Sequence, residues 1–136
     1  MRWLSLLLIA LGLSLGASAR ADDAAAIRDT IQRQLDAFRR DDASAAFGYA
    51  SPAIQSMFGT PDIFIGMVRE GYRPVYRPRV FEFRALGAIE GQPLQKVHVI
   101  GEDGQARTAN YIMRRMPDGS WRIDGCFFSA PEEFQS

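Results

Sequence analysis

Two residues on neighbouring predicted strands have side chains suited to acid-base chemistry. Asp124 lies in the middle of an apolar run, and Tyr111 lies two residues from the position predicted to face it. A carboxylate in an apolar pocket, where burial raises its pKa toward neutrality, can move protons with help from a tyrosine hydroxyl. Asp124 and Tyr111 are therefore the candidate catalytic residues of an isomerase or dehydratase. The simpler interpretation is a surface aspartate beside Arg122, because charged side chains mostly lie outside.

A second polar group lies between the predicted helices and the predicted strands. The run Tyr-Arg-Pro-Val-Tyr-Arg-Pro-Arg contains Arg73, Arg77 and Arg79. Guanidinium groups grip carboxylates and phosphates through paired hydrogen bonds, so this loop is a candidate site for an anion or a partner protein. The alternative is an extended, proline-stiffened connector whose tyrosines pack on the sheet and whose arginines pair with Glu70 and Glu82.

The sequence has no motif that is typical of a metal site or a cofactor site. The chain has one histidine, His98, and one cysteine, Cys126. It contains no zinc-ligand spacing, phosphate-binding loop, nucleophile elbow or dinucleotide fingerprint. We therefore expect no metal site and no cofactor, and we expect Cys126 to be a small buried residue.

The N-terminus predicts export. Arg2 supplies a short positive region, residues 4–15 are almost continuously apolar, and small residues ending at Ala21 offer sites for a signal peptidase. Twelve apolar residues are too few to cross a bilayer as a mature helix, so no membrane anchor is expected after cleavage. We expect residues 1–21 to be a signal peptide and residues 22–136 to form one periplasmic or secreted domain.

The charge balance excludes one class of partner. The whole chain has 16 basic and 16 acidic side chains, and removal of Arg2 and Arg20 leaves 14 basic groups and a net charge of −2. Nucleic-acid-binding domains are usually strongly basic, so no nucleic acid is expected as a partner. The remaining 115 residues are enough for one hydrophobic core without a disulfide.

Helical patterns occupy the first half of this domain. Apolar residues at steps of three and four predict an amphipathic helix, and Asp42 and Thr60 are suitable caps for two further helices. The predicted helices cover residues 22–40, 43–50 and 60–70, with one or two further turns over 52–58.

Strand patterns occupy the second half. Alternating apolar and polar residues predict strands that begin near residues 81, 94, 106 and 121. Asp118-Gly119 predicts a two-residue hairpin turn between the last two strands. That turn would place Tyr111 opposite Cys126, Ile112 opposite Gly125, and Met113 opposite Asp124.

Helices followed by antiparallel strands predict an α+β fold, with N-terminal helices packed on a curved four-stranded sheet. Both faces of the last hairpin contain apolar side chains. One face should bury against the helices, and the other is expected to contact a partner, in the first place a second copy of the chain.

Several segments resemble a family of exported bacterial proteins that is known only as a domain of unknown function. The resemblance extends over residues 27–128 and rests on Gln34-Leu35-Asp36-Ala37-Phe38, Asp41-Asp42, Ala50-Ser51-Pro52, Phe58-Gly59-Thr60-Pro61, Tyr72, Pro74-Val75-Tyr76 and Gly119-Ser120-Trp121-Arg122-Ile123-Asp124-Gly125-Cys126. The ending Asp-Gly-Ser-Trp-Arg-Ile is also similar to the last hairpin of the nuclear transport factor 2-like, or cystatin-like, superfamily. That resemblance implies a cone-shaped α+β barrel, which serves isomerases, dehydratases, cyclases and binding modules, and it implies no particular activity.

These observations predict a non-enzymatic exported module that binds a small apolar molecule or an envelope protein. Binding pockets are mostly apolar with a few polar anchors. The expected lining residues are Phe47, Tyr49, Phe64, Tyr76, Ile112 and Trp121. Two alternatives stay open: a small acid-base enzyme that uses a pocket carboxylate, and partnering through the arginine loop.

Overall fold

The computed structural model describes the backbone of residues 2–132 and the side chains of residues 16 and 18–132. The helices are α1 (Arg2–Arg39), α2 (Ala43–Gly48), α3 (Pro52–Phe58), α4 (Pro61–Gly71) and α5 (Arg73–Tyr76). The strands are β1 (Val80–Ile89), β2 (Gln92–Ile100), β3 (Ala106–Arg115) and β4 (Trp121–Ser129). The strands form one antiparallel sheet in the order β1-β2-β3-β4, and the helices pack against it. The predicted α+β class is confirmed, and the sheet is open because β1 and β4 are both edges.

Helix α1 supplies the first apolar stripe of the core. Ile27, Ile31, Leu35 and Phe38 are all at most 3% exposed, as the helical spacing predicts. The predicted start of the helix near residue 22 is wrong, because α1 extends from Arg2 to Arg39. The side chains of the predicted apolar signal region, residues 4–15, lie outside the described residues.

A helix that crosses a bilayer must be long and mostly apolar. Among the described residues, no helix has this combination of length and apolar character.

The end of α1 is a compact hydrogen-bonded turn. Asp41 has a left-handed backbone with φ of 54°, and its amide donates to the carbonyl of Phe38 at 3.0 Å. The amide of Asp42 reaches back to Ala37 at 2.9 Å, which completes a Schellman motif. The Asp42 side chain then accepts from the amide of Ala45, so its predicted role as a helix cap is confirmed.

The segment after α4 differs from its prediction. An extended connector is wrong, because Arg73–Tyr76 forms one turn of helix with a proline in its first turn. The turn directs Tyr76 into the core, where it is 2% exposed and its ring centroid lies 5.6 Å from that of Phe38. Burial of this ring offsets the preference of the residue before proline for an extended backbone.

The last hairpin also differs from its prediction. The amide of Met116 bonds the carbonyl of Ser120, and the amide of Gly119 bonds the carbonyl of Met116, so the loop has three residues rather than two. Gly119 has φ of 87°, the left-handed residue that follows the turn.

A bulge in β4 adjusts the register beyond this loop. The predicted pairs of Tyr111 with Cys126 and of Ile112 with Gly125 are confirmed, whereas Met113 faces Ile123 and not Asp124. Asp124 is the extra residue, with no partner across the ladder. Trp121 and Ile123 consequently belong to the buried core.

We predict that Gly119→Ala destabilises the fold by about 1–2 kcal/mol, because an L side chain disfavours a left-handed backbone. No atom of the described residues lies within 4 Å of the added Cβ, so the variant isolates backbone strain. Gly66→Ala in the interior of α4 is the matched control, since that position is equally open and helical. It should stabilise by about 0.5–1 kcal/mol. Urea denaturation measures the change in the free energy of unfolding for each variant. A change in the same direction for both variants would contradict the left-handed position of Gly119 in the loop.

Candidate functional site

An apolar cavity of about 210 Å³ lies between the helical layer and β4. None of the described residues that line it is charged. Helix α4 contributes Phe64, Met67 and Val68 to its wall. A cavity with such walls excludes ions and suits an apolar occupant.

Helix α3 forms the outer wall of the cavity. It has no buried residue, and Met57, which lines the cavity, is 71% exposed, so this wall contains the opening toward solvent. The helix begins at Ser51, whose hydroxyl accepts from the amide of Ile54, and ends at Gly59 with φ of 79°. Between these two fixed ends, Ile54 and Phe58 are partly buried and pack against the core.

The start of α3 is fastened to the edge of the sheet. The chain at Ala50 runs parallel to β4, with the Ser51 amide 2.8 Å from the carbonyl of Ile123 and the Ile123 amide 2.9 Å from the carbonyl of Tyr49. These bonds pair the backbone groups of Ile123 that face the outer edge of β4.

Asp124 sits at this junction and outside the cavity. Its Oδ1 accepts from the Ser51 hydroxyl at 2.6 Å, and its Oδ2 accepts from Gln92 Nε2 at 3.0 Å. The Ser51 hydrogen bond lowers the pKa of Asp124 below its ordinary value and outweighs the opposing effect of partial burial. The carboxylate is thus held charged, whereas a general acid needs a raised pKa.

The two candidate catalytic residues face different depressions. Tyr111 lines the apolar cavity, while Asp124 lines an open, polar depression together with Trp121 and Arg115. The Arg115 guanidinium lies 5.6 Å from the centre of the Trp121 ring. The bulge separates the two groups, because it adds a residue to β4 between the level of Tyr111 and the hairpin loop.

The predicted lining residues are distributed over several environments. Phe64 lines the cavity, and Phe47 packs behind it with ring centroids 5.4 Å apart. Tyr76 is buried beside Phe38. Tyr49 is half-buried next to β4 and does not line the cavity.

Two further predicted residues lie away from the cavity. Trp121 lines the polar depression beside Asp124. Ile112 is on the sheet face that alternates with Tyr111 and Met113, and its Cδ1 lies 3.5 Å from the position of a Cβ on Gly125. The sequence predicted that Trp121 and Ile112 line one pocket, because the faces of β3 and β4 were assigned without the bulge.

Four side chains with a polar atom interrupt the apolar wall. They are Gln34, Tyr72, Tyr111 and Cys126. Burial raises the pKa of the Cys126 thiol to about 12, and burial also raises the pKa of Tyr111 well above its ordinary value. Both groups are therefore protonated and uncharged at neutral pH. Cys126 was expected to be a small buried residue and is half-buried. Gln34 belongs to one of the segments that resemble the family, but the sequence did not predict it as a site residue.

The three arginines of the predicted anion loop lie on the surface. Arg73, Arg77 and Arg79 line a shallow depression with Arg39 and Glu102. Arg73 pairs with Glu102 at 3.0 Å. The expected pairing with Glu70 and Glu82 is wrong, because the turn of α5 directs the side chains elsewhere.

Arg77 belongs to a network around Tyr76. Its guanidinium lies 4.3 Å from the centre of the Tyr76 ring and contacts the Asp41 carboxylate at 2.9 Å. The Tyr76 hydroxyl donates to the same carboxylate. Together these bonds lower the pKa of Asp41, so the network ties α5 to the end of α1.

No group of three or more potential metal ligands occurs in the part of the chain that the structure describes. The fold and the cavity define a small α+β protein with an uncharged internal site. Comparison with protein families identifies it further: residues 20–136 match the model of a domain of unknown function, DUF4864, and the chain belongs to this family. No curated protein and no solved structure matches the chain significantly.

We predict that Ser51→Ala lowers the free energy of unfolding by about 1–2 kcal/mol at pH 7, because it removes the cap of α3 and the bond to Asp124. Ser56→Ala, an exposed serine in the same helix, is the control and should change little. Chemical denaturation measures the free energy of unfolding of both variants. An equal decrease in the two variants would contradict the role of Ser51.

The Ser51 effect should also depend on pH. A carboxylate whose pKa is lowered by folding stabilises the native state above its unfolded pKa of about 3.9, and this stabilisation is lost as the pH falls through the folded value. The stability difference between wild type and Ser51→Ala should therefore narrow as the pH falls below about 4. A difference that widens toward low pH would show that Asp124 is not stabilised by Ser51.

Proposed function

We propose that this protein is an exported binding module that holds a small, largely apolar molecule in the cavity between α3, α4 and β4. The observation that carries the proposal is a cavity of about 210 Å³ with an uncharged wall. An engineered apolar cavity of about 150 Å³ binds benzene, so a molecule with one ring or a short chain suits this volume.

The positions of the acidic groups favour binding over catalysis. An isomerase or dehydratase needs a base or acid that touches the bound substrate. Asp124 lines a different depression and has a lowered pKa. The cavity wall contains no carboxylate and no imidazole among the described residues.

The proposal includes the cone-shaped architecture of the nuclear transport factor 2-like superfamily. Helices packed against a four-stranded antiparallel sheet support it, together with the Asp-Gly-Ser-Trp-Arg-Ile hairpin. A homodimer through the second face of the sheet stays a prediction. It is supported by Phe127, which is 40% exposed on the same face as Ile112.

Export is proposed from the N-terminal sequence and is compatible with the packing of α1. Residues 18–22 are exposed, and the first buried residue of the helix is Ile27. Cleavage after Ala21 would therefore remove no described buried side chain. Asp22 and Asp23 would then lie at the new start of the helix, where acidic side chains favour the positive end of the dipole.

We predict that the full chain, expressed in a bacterium with a periplasm, yields a mature protein that begins at Arg20 or Asp22. Ala19→Leu should block cleavage, because Ala19 is the last residue before one site and the third residue before the other. Ala25→Leu, an exposed position beyond both sites, should be processed normally. Intact mass of the periplasmic fraction measures this. An unprocessed wild-type chain would contradict the export proposal.

We predict that saturating toluene raises the melting temperature of the wild-type protein by several degrees, because a ligand that binds only the native state stabilises it. Val68→Phe fills the cavity and should abolish this shift without loss of stability. Val97→Phe makes the same change at a buried position away from the cavity, where overpacking costs about 1–3 kcal/mol. It should retain the toluene shift. Absence of a shift in the wild type would contradict the proposed function.

A further inference from the structure

Two buried polar side chains in the cavity have unused hydrogen-bonding capacity. Gln34 is 5% exposed, and its Nε2 donates to the carbonyl of Ala46 at 3.1 Å. A carbonyl oxygen can only accept a hydrogen bond, so the amide nitrogen must face Ala46 and the Oε1 atom must point elsewhere. This Oε1 accepts no hydrogen bond from any described residue.

The second such group is the Tyr111 hydroxyl. Tyr111 is 3% exposed and lines the same cavity as Gln34. Its hydroxyl forms no hydrogen bond with another described residue. Neither atom is one of the fully buried atoms without a partner among the described residues, so both keep accessible surface and can bind water or a ligand. A polar group that remains accessible at an otherwise apolar wall is a suitable anchor for a ligand.

These anchors restrict the charge of the occupant. None of the described residues in the wall is charged, and both Tyr111 and Cys126 are protonated at neutral pH. A carboxylate, phosphate or ammonium group would lose its hydration here without gaining a counter-charge. The occupant must therefore be neutral in its bound form.

The remaining wall restricts the shape of the occupant. It is rich in aromatic rings and thioethers, from Phe38, Phe58, Phe64, Tyr72, Met57 and Met67. Aromatic edges and methionine sulfur both make favourable contacts with an aromatic ring. The volume of about 210 Å³ leaves room for one ring with small substituents.

We propose that the occupant is a small neutral aromatic alcohol of the phenol type. Its hydroxyl accepts a hydrogen bond from Tyr111 and donates one to Gln34 Oε1. A hydroxyl is the smallest neutral group that both accepts and donates, whereas a ketone or ether can only accept and would leave Gln34 unpaired. This inference rests on the proposed function, because it names the ligand class of the same cavity.

The test compares phenol with toluene, in which a methyl group replaces the hydroxyl, and with benzoate, which carries a charge. Titration calorimetry on the whole exported chain measures the three dissociation constants. Phenol should bind about tenfold more tightly than toluene, and benzoate should bind more weakly than either. Tyr111→Phe should weaken phenol binding about tenfold and leave toluene binding unchanged. Tyr49→Phe removes a hydroxyl outside the cavity and should change neither affinity.

The outcomes separate the two proposals. If neither toluene nor phenol binds, the proposed function and this inference both fail. If toluene binds and phenol binds no more tightly, or if Tyr111→Phe binds phenol as the wild type does, the cavity stands as a binding site and the phenol class is overturned. Preferred binding of benzoate would overturn the neutral class. If Tyr111→Phe does not fold, the ratio of phenol to toluene affinity in the wild type decides.

Discussion

The hydrogen bond between the Ser51 hydroxyl and Asp124 joins the helical layer to the edge of the sheet. Ser51 also caps α3, so one buried side chain fixes the bulge of β4 and the start of the helix that walls the cavity. The bulge in turn keeps Trp121 and Ile123 in the core. A one-residue slip in a strand moves every side chain to the opposite face, so the composition of the cavity depends on this contact.

The interior and the surface of the protein use polar groups differently. Around Tyr76, arginines and the Asp41 carboxylate form a charged network that ties α5 to the end of α1. Inside the cavity, the polar atoms of Gln34 and Tyr111 stand without ionic partners in an apolar wall. Charged groups near solvent keep their hydration and lock elements together, whereas isolated neutral groups in an apolar site favour a neutral ligand.

Much of the local structure could be predicted from the sequence, because it depends on neighbours in the chain. The apolar stripe of α1 and the caps at Asp42 and Thr60 depend on residues three or four positions away, and all were confirmed. The wrong predictions concern segments where a distant contact overrides the local preference. The extended connector gave way to a helical turn because Tyr76 packs on Phe38, which lies in another helix.

The α+β class, the hairpin near Gly119 and the family of residues 20–136 all follow from the amino-acid sequence without the three-dimensional structure. Hydrophobic periodicity and turn residues are local properties, so each segment can be predicted from its own residues. The positions of Asp124 outside the cavity and of Gln34 and Tyr111, 77 positions apart in the chain, in its wall depend on long-range packing. The extra residue in β4 causes this arrangement, because successive side chains of a strand point to opposite faces of the sheet. No local sequence pattern distinguishes a bulged strand from a regular one.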